Sequence, residues 1–145
     1  MQHYHHLEAV NIDQSWVTIG SFDGVHIGHQ AIIRRLTAGA RRARVPSVVV
    51  TFHPHPAVVL GKVNLPSYLT TPDERAGLLG DLGVDVVLTL PFDRQLANHS
   101  ALEFMQMLTA RLGVRHLCIG YDFALGRGRE GDVALLREIG RQLGY

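Results

Sequence analysis

A single cysteine, Cys118, rules out an internal disulfide framework. The hydrophobic core must therefore carry the fold, and 145 residues are enough for one. A chain of this size buries roughly 68–70% of its unfolded surface without staples. Long apolar runs are missing too; none approaches the ~18 residues of a membrane span. The start, Met1-Gln2-His3-Tyr4-His5-His6-Leu7-Glu8, lacks the apolar stretch of a secretory signal. The expected location is cytoplasmic. Charge of one sign is lacking: 14 Lys and Arg face 13 Asp and Glu, a formal net charge of +1. No basic stripe interleaved with aromatics occurs, so neither nucleic acid nor a membrane surface is an expected partner. Lysine is nearly absent, with Lys62 alone beside thirteen arginines. The bland source is genome composition, although the planar arginine fork also suits phosphate. No Ser–His–Asp or Cys–His pattern stands out and no zinc spacing is present. His3, His5 and His6 read as a frayed terminus, and no protein-held metal is expected.

The remaining composition, 46% hydrophobic and 19% charged, is that of one globular domain over residues 1–145. No internal repeat or low-complexity tract interrupts it. Residues 15–20 read as a strand that ends in a glycine turn. A helix follows from about Gly28 to Ala43, with Ile32, Ile33 and Leu36 on one face. The β-branched run 47–52 suits a strand buried on both faces. Pro54 and Pro56 must break it, since neither can donate to a ladder. Thr71 is a helix N-cap, with Pro72 at the first helical position and Asp73 and Glu74 in the first turn. That helix should run to about Leu82. Residues 84–90 form the next strand. Ser100 caps a helix through Leu112, with Glu103 at the capping-box position. Residues 115–120 are a further strand, and an amphipathic helix covers about 132–143.

Strands alternating with helices, without strict polar alternation in the strands, predict an α/β fold with a mostly parallel sheet. Ligands of such folds bind beyond the carboxyl ends of the strands. The unusual residues gather there, after Ile19, Phe52, Leu90 and Ile119. The first junction reads Gly20-Ser21-Phe22-Asp23-Gly24-Val25-His26-Ile27-Gly28-His29. It is neither a P-loop nor a G-x-G-x-x-G fingerprint. It sets two histidines three apart where a helix begins, and a helix N-terminus attracts phosphate. Gly28 leaves room for close approach to the backbone. Two imidazoles can donate to phosphate oxygens as charge develops. A capped helix with two solvated histidines is the plainer reading; the spacing at this junction favours phosphate.

His-x-Gly-His is similar to the signature of the nucleotidyltransferase superfamily. Three segments in order narrow the resemblance: 20–29, then Thr51-Phe52-His53-Pro54-His55-Pro56, then Gly120-Tyr121-Asp122-Phe123-Ala124-Leu125-Gly126. With Leu69-Thr70-Thr71, Leu82-Gly83-Val84-Asp85 and Pro91-Phe92-Asp93, the chain from about Trp16 resembles the FMN adenylyltransferase module of bacterial bifunctional riboflavin kinase/FAD synthetases. The resemblance implies a Rossmann-like nucleotidyltransferase fold with helices on both sheet faces. It implies transfer of the adenylyl group of ATP to FMN, giving FAD and pyrophosphate. His26 and His29 would contact the phosphates and stabilise the transition state. Gly20, Ser21, Phe22, Asp23, Gly24 and Gly28 would form the ATP-binding turn. Phe52, Pro54, His55, Pro56, Asp122, Phe123 and Leu125 would face the flavin. Mg²⁺ would be held mainly by substrate phosphates.

Two departures from the family pattern matter. Leu125 stands where the family usually has an aromatic residue, so a flat face is exchanged for aliphatic area. The family's module also continues into a Ser/Thr-rich segment with an arginine, and then into a riboflavin kinase domain. Neither is expected in these 145 residues, and riboflavin phosphorylation is not predicted. Two alternatives stay open on the sequence. One is a nucleotide- or flavin-binding fragment without turnover. The other is an adenylyltransferase for another phosphorylated small molecule, such as nicotinate mononucleotide or phosphopantetheine.

Overall fold

The computed structural model describes residues 1–62 and 67–145. In chain order the strands are β1 (Gln2–Tyr4), β2 (Ser15–Ile19), β3 (Ser47–His53), β4 (Val86–Pro91) and β5 (Val114–Cys118). The helices are α1 (Ile27–Ala43), α2 (Pro56–Val59), α3 (Pro72–Asp81), α4 (Arg94–Ala97), α5 (Ala101–Leu112) and α6 (Val133–Leu143). The strands form one sheet in the order β1-β4-β3-β2-β5. Every pairing is parallel. Taken from β2, the run β4-β3-β2-β5 has the order of half a dinucleotide-binding sheet. The chain reverses direction across the sheet between β2 and β5, which opens a crevice at their carboxyl ends.

β3 is hydrogen-bonded on both sides, to β2 and β4. Its side chains alternate between two apolar layers. Val48 and Val50 point to the layer built from Met105, Leu108 and Leu112 of α5 and Leu136 and Ile139 of α6. Val49 points to the other, with Ile33 and Leu36 of α1 and Ala76 and Leu79 of α3. The sheet is thus covered on both faces, as a parallel sheet must be to keep its backbone dry. Leu36, Leu79 and Leu108 are wholly inaccessible, each contributing about 1.5–3 kcal/mol through burial. Gly39 lies in the middle of α1 because the Trp16 indole of β2 occupies the space a Cβ would need. The indole is held from its other side by a stacked His116, 3.9 Å between ring centroids.

The sequence pattern places the central elements within a residue or two. The amino terminus differs. Gln2–Tyr4 is not frayed; it pairs with Val86–Leu88 as the edge strand beside β4. Three residues containing glutamine and histidine carry no apolar period, so only the partner strand reveals them. α2 and α4 are single turns, too short for the sequence pattern to distinguish from loop. Among the described residues no helix is long and apolar enough to cross a membrane.

Candidate functional site

β2 ends at Ile19, and the chain then makes a tight turn into α1. Gly20 donates its N–H to Val50 O at 3.0 Å, which keeps the turn in register with β3. Ser21 O accepts from the Thr51 hydroxyl at 2.9 Å. Phe22 has φ of 50° and Val25 φ of 45°, both left-handed without being glycine. For a β-branched residue such as Val25 that conformation is strained and must be held by its surroundings. Gly24 shares it at φ +74°, and a Cβ there would meet Leu69 Cδ1 at 2.8 Å.

The restraint comes from Asp23 and a buried arginine. Asp23 Oδ2 accepts the Leu69 N–H at 2.9 Å. Oδ1 accepts both the N–H of Thr70 at 2.9 Å and its hydroxyl at 2.8 Å. Arg75 Nη2 stands 3.6 Å from the same oxygen, with only 2% of its side chain exposed. Its Nη1 donates to Thr51 Oγ1 at 3.1 Å, which ties the turn to β3. Burial by itself would raise the Asp23 carboxyl. The N–H of Leu69, the hydroxyl and N–H of Thr70 and the Arg75 charge outweigh it and hold the group below the ordinary carboxylate value.

His26 is the N-cap of α1. Its Nδ1 accepts the N–H of His29 at a long 3.5 Å. A neutral ring that accepts at Nδ1 carries its proton on Nε2, leaving a donor on the exposed edge. The two imidazoles stack, 3.5 Å between centroids and 23° between planes. His29 also sets an edge against Phe22 at 5.0 Å. Burial first, then the neighbouring His26, and least the Arg75 charge lower the His29 pKa to about 4, against an opposing pull from Asp23. His29 is therefore neutral at neutral pH. Its Nδ1 is buried with no hydrogen-bond partner among the described residues. No acidic residue occupies the first turn of α1. This is a helix end with its partial positive charge uncancelled.

Ile19 also lines a cavity of about 480 Å³ beside the turn. Phe52, Phe92 and Phe104 form an aromatic wall, with ring centroids 5.6 Å and 6.3 Å from Phe52. Phe123 and Leu125 close another side, and Lys62, His99 and Arg129 add polar atoms at the lining. Leu125 is held by a two-way backbone bridge to Gly131, at 3.0 and 2.8 Å. The site thus joins an open helix N-terminus to an apolar chamber with an aromatic wall.

Residues 9–145 match the FAD synthetase family. The chain belongs to that family. The bifunctional riboflavin kinase/FMN adenylyltransferase of Escherichia coli K12 is 37% identical over 142 residues, covering 97% of this chain and 45% of that protein. The protein of the same description from Pseudomonas fluorescens is 43% identical over 129 residues, 88% of this chain and 41% of the relative. A solved structure described as a macrolide-efflux protein from Streptococcus pneumoniae superposes with a TM-score of 0.79 at 26% identity, covering 94% of this chain and 46% of its own. The chain therefore spans under half the length of these relatives.

Within this FAD synthetase fold the candidate residues separate into groups. Gly20 through Gly24, His26, Gly28 and His29 lie together on the turn and the first turn of α1. Phe52, His55, Pro56, Phe123 and Leu125 line the chamber, whereas Pro54 and Asp122 are exposed and lie outside its lining. His55 also acts locally, since its Nδ1 accepts the Ala57 N–H at 3.0 Å and caps α2. Asp122 offers its backbone oxygen to Arg129 Nη2 at 3.4 Å. Sequence reading does not single out Phe104, His99, Arg129 or Arg75. Phe104 sits in a helix pattern where it is indistinguishable from a core residue. Arg75 is one helix turn past the Thr71 cap, and nothing local signals that it is buried. Phe92 is legible, since it immediately follows a strand end.

Proposed function

We propose that the chain transfers the adenylyl group of ATP to the phosphate of FMN, giving FAD and pyrophosphate, and that residues 1–145 act as one adenylyltransferase domain. The observation that carries this reading is the junction at Ile19 and Gly20, where the open N-terminus of α1 adjoins the aromatic chamber. A flavin ring is flat and mostly apolar, and Phe52, Phe92 and Phe104 offer it faces and edges. Its phosphate and the ATP phosphates are anions that seek unpaired N–H groups. Membership of the FAD synthetase family supports the same assignment.

The chemistry asks little of general bases. A phosphomonoester's second pKa is about 6, so FMN arrives largely as a dianion and already nucleophilic. What remains is to bring two anions in line at the α-phosphorus and to stabilise the charge that builds there. Neutral His29, the Nε2–H of His26 and the first-turn N–H groups are suited to that role. The His29 N–H is held to His26 by only a 3.5 Å bond, so a phosphate oxygen can displace it at small cost. The strained turn keeps these donors in place through Asp23 and Arg75. The Asp23 oxygens are already occupied by Leu69 and Thr70. Mg²⁺ would then enter as MgATP, held mainly by substrate oxygens and water.

The chain incubated with FMN and MgATP is expected to form FAD and pyrophosphate, followed by chromatography, and the His26→Ala/His29→Ala variant is expected to form none detectable. Faster pyrophosphate release with a non-flavin phosphomonoester would overturn the acceptor. Ligand binding with no pyrophosphate release would leave a binding module.

A further inference from the structure

At the sheet edge formed by β1, three side chains from two distant parts of the chain meet. His3 lies in β1 and His5 at the bend that follows it, and their ring centroids are 4.3 Å apart. Asp73, in the first turn of α3, brings Oδ1 to 3.3 Å from His3 Nδ1. One ligand atom from each of His3, His5 and Asp73 lies within 4.8 Å of the other two. Two donors each about 2.1 Å from a tetrahedral zinc-like ion stand roughly 3.3–3.5 Å apart, the spacing that His3 and Asp73 already have. Only the exposed side chains of His5 and Asp73 need move to complete the set.

A second observation concerns His3 itself. Its side chain is 14% exposed, against 86% for Asp73. Its Nε2 lies 2.8 Å from the hydroxyl of Thr89, a buried residue of β4. A metal-ligating imidazole characteristically donates its other ring N–H to a fixed acceptor, which sets the tautomer and aims the lone pair. In the tautomer that donates Nε2–H to Thr89, the Nδ1 lone pair faces Asp73 Oδ1, and an ion between them would replace the Nδ1–H···Oδ1 bond of the other tautomer.

We propose that His3, His5 and Asp73 form a binding site for one divalent transition ion of the zinc class, with Thr89 orienting His3. The site is separate from the α1 turn and the aromatic chamber, and its donors differ from those that hold MgATP. Two imidazoles and one carboxylate suit Zn²⁺, Co²⁺ or Ni²⁺, whereas Mg²⁺ prefers oxygen donors throughout. An ion there would fasten edge strand β1 to the start of α3, the helix that also carries Arg75.

The test is a Zn²⁺ titration against a chromophoric chelator with excess Mg²⁺ present. It is run on the whole chain carrying His26→Ala and His29→Ala, so that the other histidine pair cannot contribute. One equivalent of Zn²⁺ should bind, and Co²⁺ in its place should show the intense visible absorption of a four-coordinate ion. His5→Ala and Asp73→Asn, both at exposed positions, should each weaken binding at least tenfold with an unchanged circular dichroism spectrum. Thr89→Val, close in shape, should weaken it roughly 10–100-fold. No bound equivalent, or one of equal affinity in His5→Ala and Asp73→Asn, would overturn the site.

Discussion

Helices α1 and α3 start on the same face of the sheet, yet their N-termini are finished in opposite ways. α3 is closed. Thr71 Oγ1 accepts the Glu74 N–H at 3.1 Å, and Glu74 Oε2 accepts the Thr71 N–H at 2.9 Å. Pro72 removes one donor, and Asp73 and Glu74 lie against the dipole. α1 is open. Its cap is a histidine at 3.5 Å, its first turn holds no acid, and three left-handed residues, Phe22, Gly24 and Val25, lead into it. The difference separates a helix end whose first-turn donors are closed by side chains from one whose donors are left open. The two are also connected, because Arg75 of α3 braces the turn that α1 grows from.

The largest expected effect exchanges the two caps. His26→Ala should lower FAD formation roughly 10²–10³-fold, as loss of an oxyanion-type donor does, while barely changing the melting temperature. Thr71→Ala should do the reverse, costing about 1 kcal/mol in urea unfolding with the rate unchanged. Equal losses of stability in both variants would erase the distinction between the helix ends.

Arg75→Met tests the connection. It removes charged hydrogen bonds to Thr51 and Thr70 and leaves Asp23 without its cation. A loss of about 1.5–3 kcal/mol is expected, together with a fall in rate although residue 75 lies beneath the turn. Normal turnover in a folded Arg75→Met protein would show that the turn needs no brace.

The smallest effect is in pH. His29 has a folded pKa of about 4, below its ordinary 6.5. Between those values the unfolded chain binds a proton that the folded chain refuses. Stability should therefore fall as pH drops from 6.5 towards 4, with no contribution from His29 above 6.5. Ring-proton NMR should place the midpoint near 4, and His26→Ala should move it upward by removing the second-largest cause of the depression. An unmoved midpoint would mean that His26 does not contribute to it.

The central α/β elements can be read from sequence because their signals are local. Thr71-Pro72-Asp73-Glu74 marks the start of α3 with four neighbouring residues, and the structure completes the capping box there. At α5 the Ser100 side chain accepts the Glu103 N–H at 3.0 Å, the cap the spacing anticipates, while the reciprocal Glu103 half of a capping box does not form. The β-branched run of β3 announces a strand buried on both sides, and it lies between β2 and β4. The turn from Gly20 to His29 is legible as a strand-to-helix junction because strand, glycines and paired histidines are consecutive. β1 is not legible, since three residues gain strand character only from β4, more than 80 positions away.

The order of the central strands and helices, the two strand-breaking prolines, the caps of the longer helices and the His-x-Gly-His junction were determined by the sequence itself. Each depends on residues within a turn or two of one another, where backbone sterics and capping act. The tertiary structure alone decided what those pieces meet. Asp23 finds Thr70 across 47 positions, Phe52 finds Phe104 beneath the chamber, and His3 finds Asp73 at the sheet edge. Such contacts form only after the sheet has chosen its strand order, because burial and parallel pairing join segments whose local sequences carry no mark of each other.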